Sequence, residues 1–263
     1  MDTAQMTVAQ ITSLLSQHNI SLHIINTLKN DARLSVKRLV DRWEVRQKKE
    51  QQEKERIYAL YKYERQLQSQ GYGLVAGIDE AGRGPLAGPV VVAAVILPPD
   101  CYLPGLNDSK KLTATQREKL YQEIIQAAVS VTRCVVNVET IDDINIYQAT
   151  VEGMYKVSEG LSPSPQAILI DAVPLPKLTI PSRSIISGDQ VSASIAAASI
   201  IAKVERDQIM AELNCQYPMY GFGRNKGYGT EEHMNALKKY GPCNYHRRSF
   251  EPVRAVEAAN NAG

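Results

Sequence analysis

No run of apolar residues in this chain reaches the ~18–20 needed to cross a bilayer. The longest, Pro89 to Pro98, is about half that length and is bounded by prolines. A membrane-spanning protein is therefore not expected. Met1-Asp2-Thr3 is not followed by a basic region and an apolar core, so no secretory leader is expected either. Cysteine is scarce. Cys101, Cys134, Cys215 and Cys243 lie far apart with no CxxC pair, which reads as free thiols in a reducing compartment. There is no GxxxxGK[ST] loop to cradle a nucleotide, and no internal repeat. What is present is ordinary for a globular protein. The 263 residues are 44% hydrophobic and 22% charged, which excludes global disorder. That length suits one large domain, or a core domain with a small module.

The net charge of +2 conceals a division along the chain. Residues 1–70 carry an excess of four basic groups, residues 71–202 an excess of four acidic ones, and residues 203–263 are basic again. An acidic middle between basic ends suggests carboxylates gathered at a site with phosphate-seeking surface around it. Ordinary solvated faces would give the same numbers.

Residues 1–70 read as a helical extension. Thr7 and Gln10 have capping-box spacing, with Ile11, Leu14 and Leu15 following at helical intervals. Leu22, Ile25 and Leu28 form a second stripe, and Val36, Leu39, Val40 and Trp43 a third. Arg46 to Arg56 is entirely Gln, Lys, Glu and Arg without Gly or Pro, which predicts a solvated helix. Ile57, Leu60, Tyr61 and Leu67 restore an apolar face before Gln70-Gly71-Tyr72-Gly73 marks a boundary. The basic face of Lys37, Arg38, Arg42, Arg46, Lys48 and Lys49 suits nucleic acid or simply water.

From residue 74 strands and helices alternate. Leu74 to Ile78 predicts a strand ending at Asp79-Glu80, and Pro89 to Leu97 a β-branched strand. The connection between them is too short for a crossover helix, so the two should pair antiparallel. A helix over 113–128, a strand over 129–138, a helix over 144–158 and a strand over 167–170 ending at Asp171 follow. A short strand over 184–187 ends at Gly188-Asp189, before a long Ala- and Ser-rich helix over 190–213 and a helix over 230–239. The Val256-to-Gly263 tail reads as disordered. The pattern is a mixed sheet flanked by helices with carboxylates at strand ends.

Strand-end carboxylates can gather at one sheet edge, where α/β proteins hold ligands. Several acids at one point repel each other unless protonated or neutralised by a cation. Oxygen-only donors favour Mg²⁺ or Mn²⁺, and a pair of such ions can hydrolyse a phosphodiester. Each acid also has a structural reading. Asp79-Glu80 can end a strand, Asp171 can open a turn, and Asp189 can cap the helix that follows. Gly82-Arg83-Gly84 lacks side chains at two of three positions, so its backbone can approach a ligand while Arg83 pairs with phosphate or carboxylate. A hairpin connection explains the glycines equally well. His233, His246 and Cys243 do not make a complete zinc set of four. His246-Arg247-Arg248 suits phosphate contact or surface charge.

The run Gly77-Ile78-Asp79-Glu80-Ala81-Gly82-Arg83-Gly84-Pro85-Leu86-Ala87-Gly88-Pro89-Val90 closely resembles the opening motif of the bacterial ribonuclease HII family. Asn107-Asp108-Ser109-Lys110-Lys111-Leu112, Ile170-Asp171, Gly188-Asp189, Ala196 to Val204, Arg206-Asp207, Tyr217-Pro218, Lys226 to Thr230, His233 and His246 to Val253 continue the resemblance in the family's order.

The resemblance implies an α/β, ribonuclease H-like fold: a mixed five-stranded sheet flanked by helices over 71–263, with the helical extension, of unread role, before it and a C-terminal helical substrate-binding segment. It implies an endoribonuclease that cuts the RNA strand of RNA–DNA hybrids and nicks 5′ of a lone ribonucleotide in duplex DNA. The expected products carry 3′-hydroxyl and 5′-phosphate ends. Asp79, Glu80, Asp171 and Asp189 would be the catalytic ligands of two Mg²⁺ or Mn²⁺ ions, with Asp79 bridging them. Gly82, Arg83 and Gly84 would sense the ribose 2′-hydroxyl, the group that separates RNA from DNA. Tyr228 would stack on the deoxyribose that follows. Asn107, Lys110 and Lys226 would contact phosphate. A cytoplasmic monomer serving ribonucleotide removal and primer removal is expected, with nucleic acid and no membrane as its partner. The sister family, ribonuclease HIII, lacks the Gly-Arg-Gly arrangement. Ser187 and Ala172 depart from the common pattern, which has Lys and Gly there. The alternative is a non-catalytic hybrid-binding protein. Such a binder gains nothing from four acids beside a phosphate backbone.

Overall fold

Local chemistry sets the first helices. In the computed structural model, which describes residues 3–17 and 20–261, Thr7 caps α1 (Val8–Leu15) through the capping box with Gln10. Ser21 caps α2 (Leu22–Lys29). Helix α3 (Leu34–Leu60) runs unbroken through the charged stretch, as its lack of Gly and Pro predicts. The chain divides into two compact units, Met1–Arg56 and Ile57–Gly263, with the boundary inside α3. The first unit has its own small core of Ile11, Leu15, Ile25, Leu28, Val36 and Val40. Residues 57–70 pack with the second unit. Ile57, Leu60 and Tyr61 join its core, and α4 (Lys62–Gln68) buries Glu64 there.

The second unit is built on five strands. They are β1 (Val75–Ala81), β2 (Val90–Ile96), β3 (Ser130–Val136), β4 (Ala167–Asp171) and β5 (Ser182–Ile185), in the spatial order β3-β2-β1-β4-β5. β1 pairs antiparallel with β2, as the short connection requires, and parallel with β4. β2 is buried along its whole length, and its side chains alternate between two cores. Val91, Ala93 and Val95 face the layer containing α5 (Ala114–Ala127) and α7 (Ala193–Gln216). Val90, Val92, Ala94 and Ile96 face the layer containing α6 (Val138–Glu159). Helices α8 (Phe222–Asn225), α9 (Glu231–Tyr240) and α10 (Glu251–Asn261) complete the chain.

The Ala- and Ser-rich start of α7 lies directly on β1. A Cβ on Gly77 would stand 2.1 Å from the carbonyl carbon of Ser194, so only glycine admits that approach. Two expectations are corrected. α6 starts at Val138, six residues early, because Asn137 caps it and the chain recovers from a kink at Asn145 (φ 67°). The tail reads as disordered from composition, yet residues 251–261 are helical and Val253 is buried with Leu86 and Leu237. Residues 262 and 263 lie outside the described residues.

Candidate active site

The sheet register brings the acids together. Ile78 is level with Ile170 across the parallel β1–β4 pair, so Asp79 and Asp171 follow at the same height. Asp171 ends β4, and its Oδ1 accepts the Gly188 amide at 2.7 Å. That bond ties the end of β4 to the 3-10 turn Gly188–Gln190, which carries Asp189. Asp189 is not the cap of α7: Ser192 is, through the Ile195 amide. The structural reading of Asp189 as a capping residue therefore falls away.

The acids act on each other. Asp79 is 4% exposed, and burial, then Glu80 and Asp171, hold its carboxyl well above the usual range. Burial likewise raises Glu80, against the opposing pull of Arg83. Asp189 is pushed up to about 6 by burial and by Asp108, with a smaller contribution from Asp171. Asp108 is a group the sequence did not single out. It is buried beside Asp189, whose carboxyl it pushes up, and it accepts the Lys110 amide at 2.9 Å.

Cations answer the acids from one side. Arg83 Nη1 lies 3.4 Å from Glu80 Oε1. Lys110 Nζ lies 3.8 Å from Asp189 Oδ2 and remains largely exposed. Burial lowers the Lys110 pKa, but Asp189, Asp108, Asp79 and Asp171 outweigh it and raise the pKa overall. A cleft of about 350 Å³ opens beside them, lined by Glu80, Gly82, Arg83, Gly84, Lys110 and Tyr228, with Ser109, Ser199, Lys203 and Arg206 among the rest. Two expected site residues meet there: an ideal Cβ on Gly84 would stand 3.6 Å from the Tyr228 ring, so the loop and the aromatic face each other. Asn107 and Lys226 do not line the cleft. Asn107 accepts its neighbour Asp108's amide, and Lys226 turns its ammonium to the Asp207 carbonyl at 3.3 Å. A larger hollow of about 720 Å³ belongs to the first unit, where Asp31 and Arg33 already pair with each other.

Two buried arginines hold the segment from Gly82 to Pro89. Arg247 is fully buried and donates to the carbonyls of Gly82, Arg83 and Gly88. Arg206 donates to the carbonyls of Pro89 and Ala87. This corrects the expectation that His246-Arg247-Arg248 meets phosphate or forms surface charge. Arg247 and His246 are both interior, and Arg248 alone of the three is exposed. No spacing rule could have found these carbonyl contacts, which join segments more than a hundred residues apart. Gly82 has φ of +100°, and a Cβ there would stand 2.0 Å from Arg206 Nε. Ala172 and Ser187, the two departures from the family pattern, both have left-handed backbone (φ 51° and 55°). Glycine is the unstrained residue there.

The donor chemistry suits a hard divalent cation. The acids supply only oxygen, they repel each other, and Glu80 Oε2 is buried without a hydrogen-bond partner. Among the described residues, no group of three His, Cys, Asp or Glu side chains is already arranged so that it could hold a metal ion.

The chain matches the family model described as Ribonuclease HII over residues 76–253, and that of the Ribonuclease HII N-terminal domain over residues 7–68. It is 51% identical over 251 residues to a ribonuclease HII of Geobacillus sp. (strain WCH70), covering 95% of this chain and 90% of that protein. The crystal structure of ribonuclease H2 from Pyrococcus horikoshii OT3 is similar with a TM-score of 0.61 at 28% identity, over 72% of this chain and all of that one. The structure of Bst-RNase HIII in complex with Mn²⁺ shares the fold with a TM-score of 0.53 at 18% identity, over 72% of this chain and 71% of that one.

Proposed function

The chain belongs to the ribonuclease HII family, enzymes of the ribonuclease H class, and from that premise we propose that it nicks duplex DNA 5′ of a lone ribonucleotide as well as cutting the RNA strand of hybrids. The products carry 3′-hydroxyl and 5′-phosphate ends. The observation that carries this reading is the juxtaposition of four strand-end acids with a cleft bearing Arg83, Gly84, Lys110 and Tyr228. Residues 57–263 are the catalytic unit. The basic helices before them add affinity for the duplex backbone, which makes binding fall steeply with salt.

Asp79, Glu80, Asp171 and Asp189 would hold two divalent ions, Mg²⁺ or Mn²⁺. When bound, such ions supply an activated water and stabilise the departing 3′ oxygen. The chain's own residues do the rest. Lys110 and Lys226 would neutralise phosphate charge, and the Asn107 amide would donate to a phosphate oxygen. The backbone of Gly82 and Gly84 approaches the ribose closely enough to read its 2′-hydroxyl, and Arg83 pairs with the adjacent phosphate. Tyr228, about half exposed at 48%, offers its ring to the next sugar. The enzyme acts as a cytoplasmic monomer in removing ribonucleotides and primers from DNA.

The test is a labelled DNA duplex with one embedded ribonucleotide, incubated with Mg²⁺, Mn²⁺ or EDTA. A metal-dependent nick immediately 5′ of the ribonucleotide is expected. Cleavage confined to long RNA–DNA hybrids would remove the junction-reading role of Gly82-Arg83-Gly84 and Tyr228.

A further inference from the structure

Beneath the cleft lies a pair of histidines that the proposed chemistry does not use. His233, near the start of α9, and His246 are both buried, at 0% and 1% exposure. Their Nε2 atoms stand 3.0 Å apart. Aromatic rings enclose them: Phe222 packs edge-on against His233 at 5.4 Å, and Tyr220 edge-on against His246 at 4.8 Å.

The backbone around the pair dictates where its protons are. His233 Nδ1 lies 2.9 Å from the Tyr228 carbonyl, which can only accept. That nitrogen therefore carries hydrogen, and the neutral ring presents a bare Nε2. The facing Nε2 of His246 must donate to it. His246 Nδ1 is then bare, and there it accepts the Cys243 amide at 3.0 Å, with the Cys243 thiol 3.2 Å away. One tautomer at each ring satisfies every contact, and protonating either ring would turn two N–H groups towards each other. Burial lowers the pKa of both, which keeps them neutral.

The pair joins the two arms of the cleft. His233 grips Tyr228 by its carbonyl. His246 forms a β-bridge with Ala87, flanked by the Gly88 amide donating to Tyr245 and the Arg247 amide donating to Leu86. Leu86 in turn donates to the Gly227 carbonyl. The segment that follows Gly82–Gly84 is thus clamped between the residue before Tyr228 and the residues around His246.

We infer that His233 and His246 are positioning residues which, as a neutral pair of fixed tautomer, set the gap between Tyr228 and Gly84 and so the preference for an RNA–DNA junction over a continuous hybrid. The inference rests on the reading that Tyr228 and the Gly82–Gly84 loop read that junction. Neither histidine touches substrate.

The experiment compares wild type, Tyr228→Ala and His246→Phe on two substrates, a duplex with one ribonucleotide and a uniform RNA–DNA hybrid. Phenylalanine keeps the ring and removes both nitrogens. The ratio of kcat/KM on the first substrate to that on the second is expected to fall about tenfold in His246→Phe, in the same direction as in Tyr228→Ala. A fall in Tyr228→Ala with an unchanged ratio in His246→Phe overturns the positioning role. An unchanged ratio in Tyr228→Ala overturns the junction reading, and the inference with it. Imidazole ¹⁵N spectra of the wild-type protein supply a readout that does not depend on the variant's folding. They should show Nδ1–H at His233 and Nε2–H at His246, and the opposite tautomers or a charged ring would overturn the pair.

Discussion

The Asp171 carboxylate accepts the Gly188 amide at 2.7 Å, so the end of β4 holds in place the turn that presents Asp189. One acid thereby positions a second, and both depend on the parallel pairing that sets Asp171 level with Asp79. Substitutions at these acids should separate chemistry from folding.

Asp79→Asn should lower cleavage by about a thousandfold or more, as losing a charge at a reacting centre does. Asp79 is buried among acids that already raise its carboxyl, so removing its charge should not weaken the fold. Activity assays beside melting curves check this. The variant should still bind a ribonucleotide-containing duplex, and normal turnover with Mg²⁺ would contradict the assignment.

Asp189 gives a pH dependence of known sign. Its folded pKa is raised from 3.8 to about 6, so its stabilising contribution is complete below pH 4 and is lost as pH rises through 6. Above that window the charged carboxylate costs the ion-free protein about 2–3 kcal/mol. Asp189→Asn should therefore melt higher than wild type at pH 7.5 in EDTA, and the gap should close near pH 4. Mn²⁺ should raise the melting temperature of wild type more than that of the variant. A gap independent of pH would show that Asp189 is not held among like charges.

The two glycines of the loop should part company. A Cβ at Gly82 meets Arg206 and adopts a disfavoured φ, so Gly82→Ala should cost about 2 kcal/mol or more. Gly84→Ala meets only the Tyr228 ring at ordinary contact distance and should melt like wild type. Its methyl points into the cleft and should lower kcat/KM for a duplex with one ribonucleotide. Equal melting of the two variants would mean that Arg206 gives way.

Truncations should locate the functional boundary. Removing residues 1–56 leaves Ile57, Leu60 and Tyr61 in their core and leaves Glu64 accepting bonds from Ser192 and Ser194 at the start of α7. That fragment should unfold cooperatively and cleave, with weaker duplex binding at low salt. Removing residues 1–70 also takes away Tyr61, whose hydroxyl donates to the Cys101 carbonyl, and Glu64. It should lose about 3 kcal/mol or more, or fail to fold. Thermal melts of the two fragments decide between a boundary at 56 and one at 70.

Much of this architecture was legible in residue order because it is local. Thr7 announces a helix start by its capping-box spacing with Gln10, and that cap forms. The eight-residue link between Glu80 and Pro89 permits only an antiparallel pair, and that pair forms. The charged run from Arg46 to Arg56 contains nothing that stops a helix, and α3 does not stop. The four acids stood out because each follows a strand, although the sequence left open whether Asp189 was a ligand or a cap.

Other features depend on partners far away in the chain. Arg247 reads as surface charge until the fold encloses it and presents the carbonyls of Gly82, Arg83 and Gly88. His233 and His246 are thirteen residues apart and no spacing rule pairs them, yet packing makes each the other's hydrogen-bond partner. Asp108 looks like a turn residue until the turn stands against Asp189. The sequence by itself determined where most strands lie, the starts of helices such as α1 and α5, and the residue types able to bind a hard cation, because propensity, capping and donor chemistry are properties of neighbouring residues. Only the tertiary structure decided which polar groups are buried and what satisfies them, because an interior donor must take whichever acceptor the packed chain brings to it.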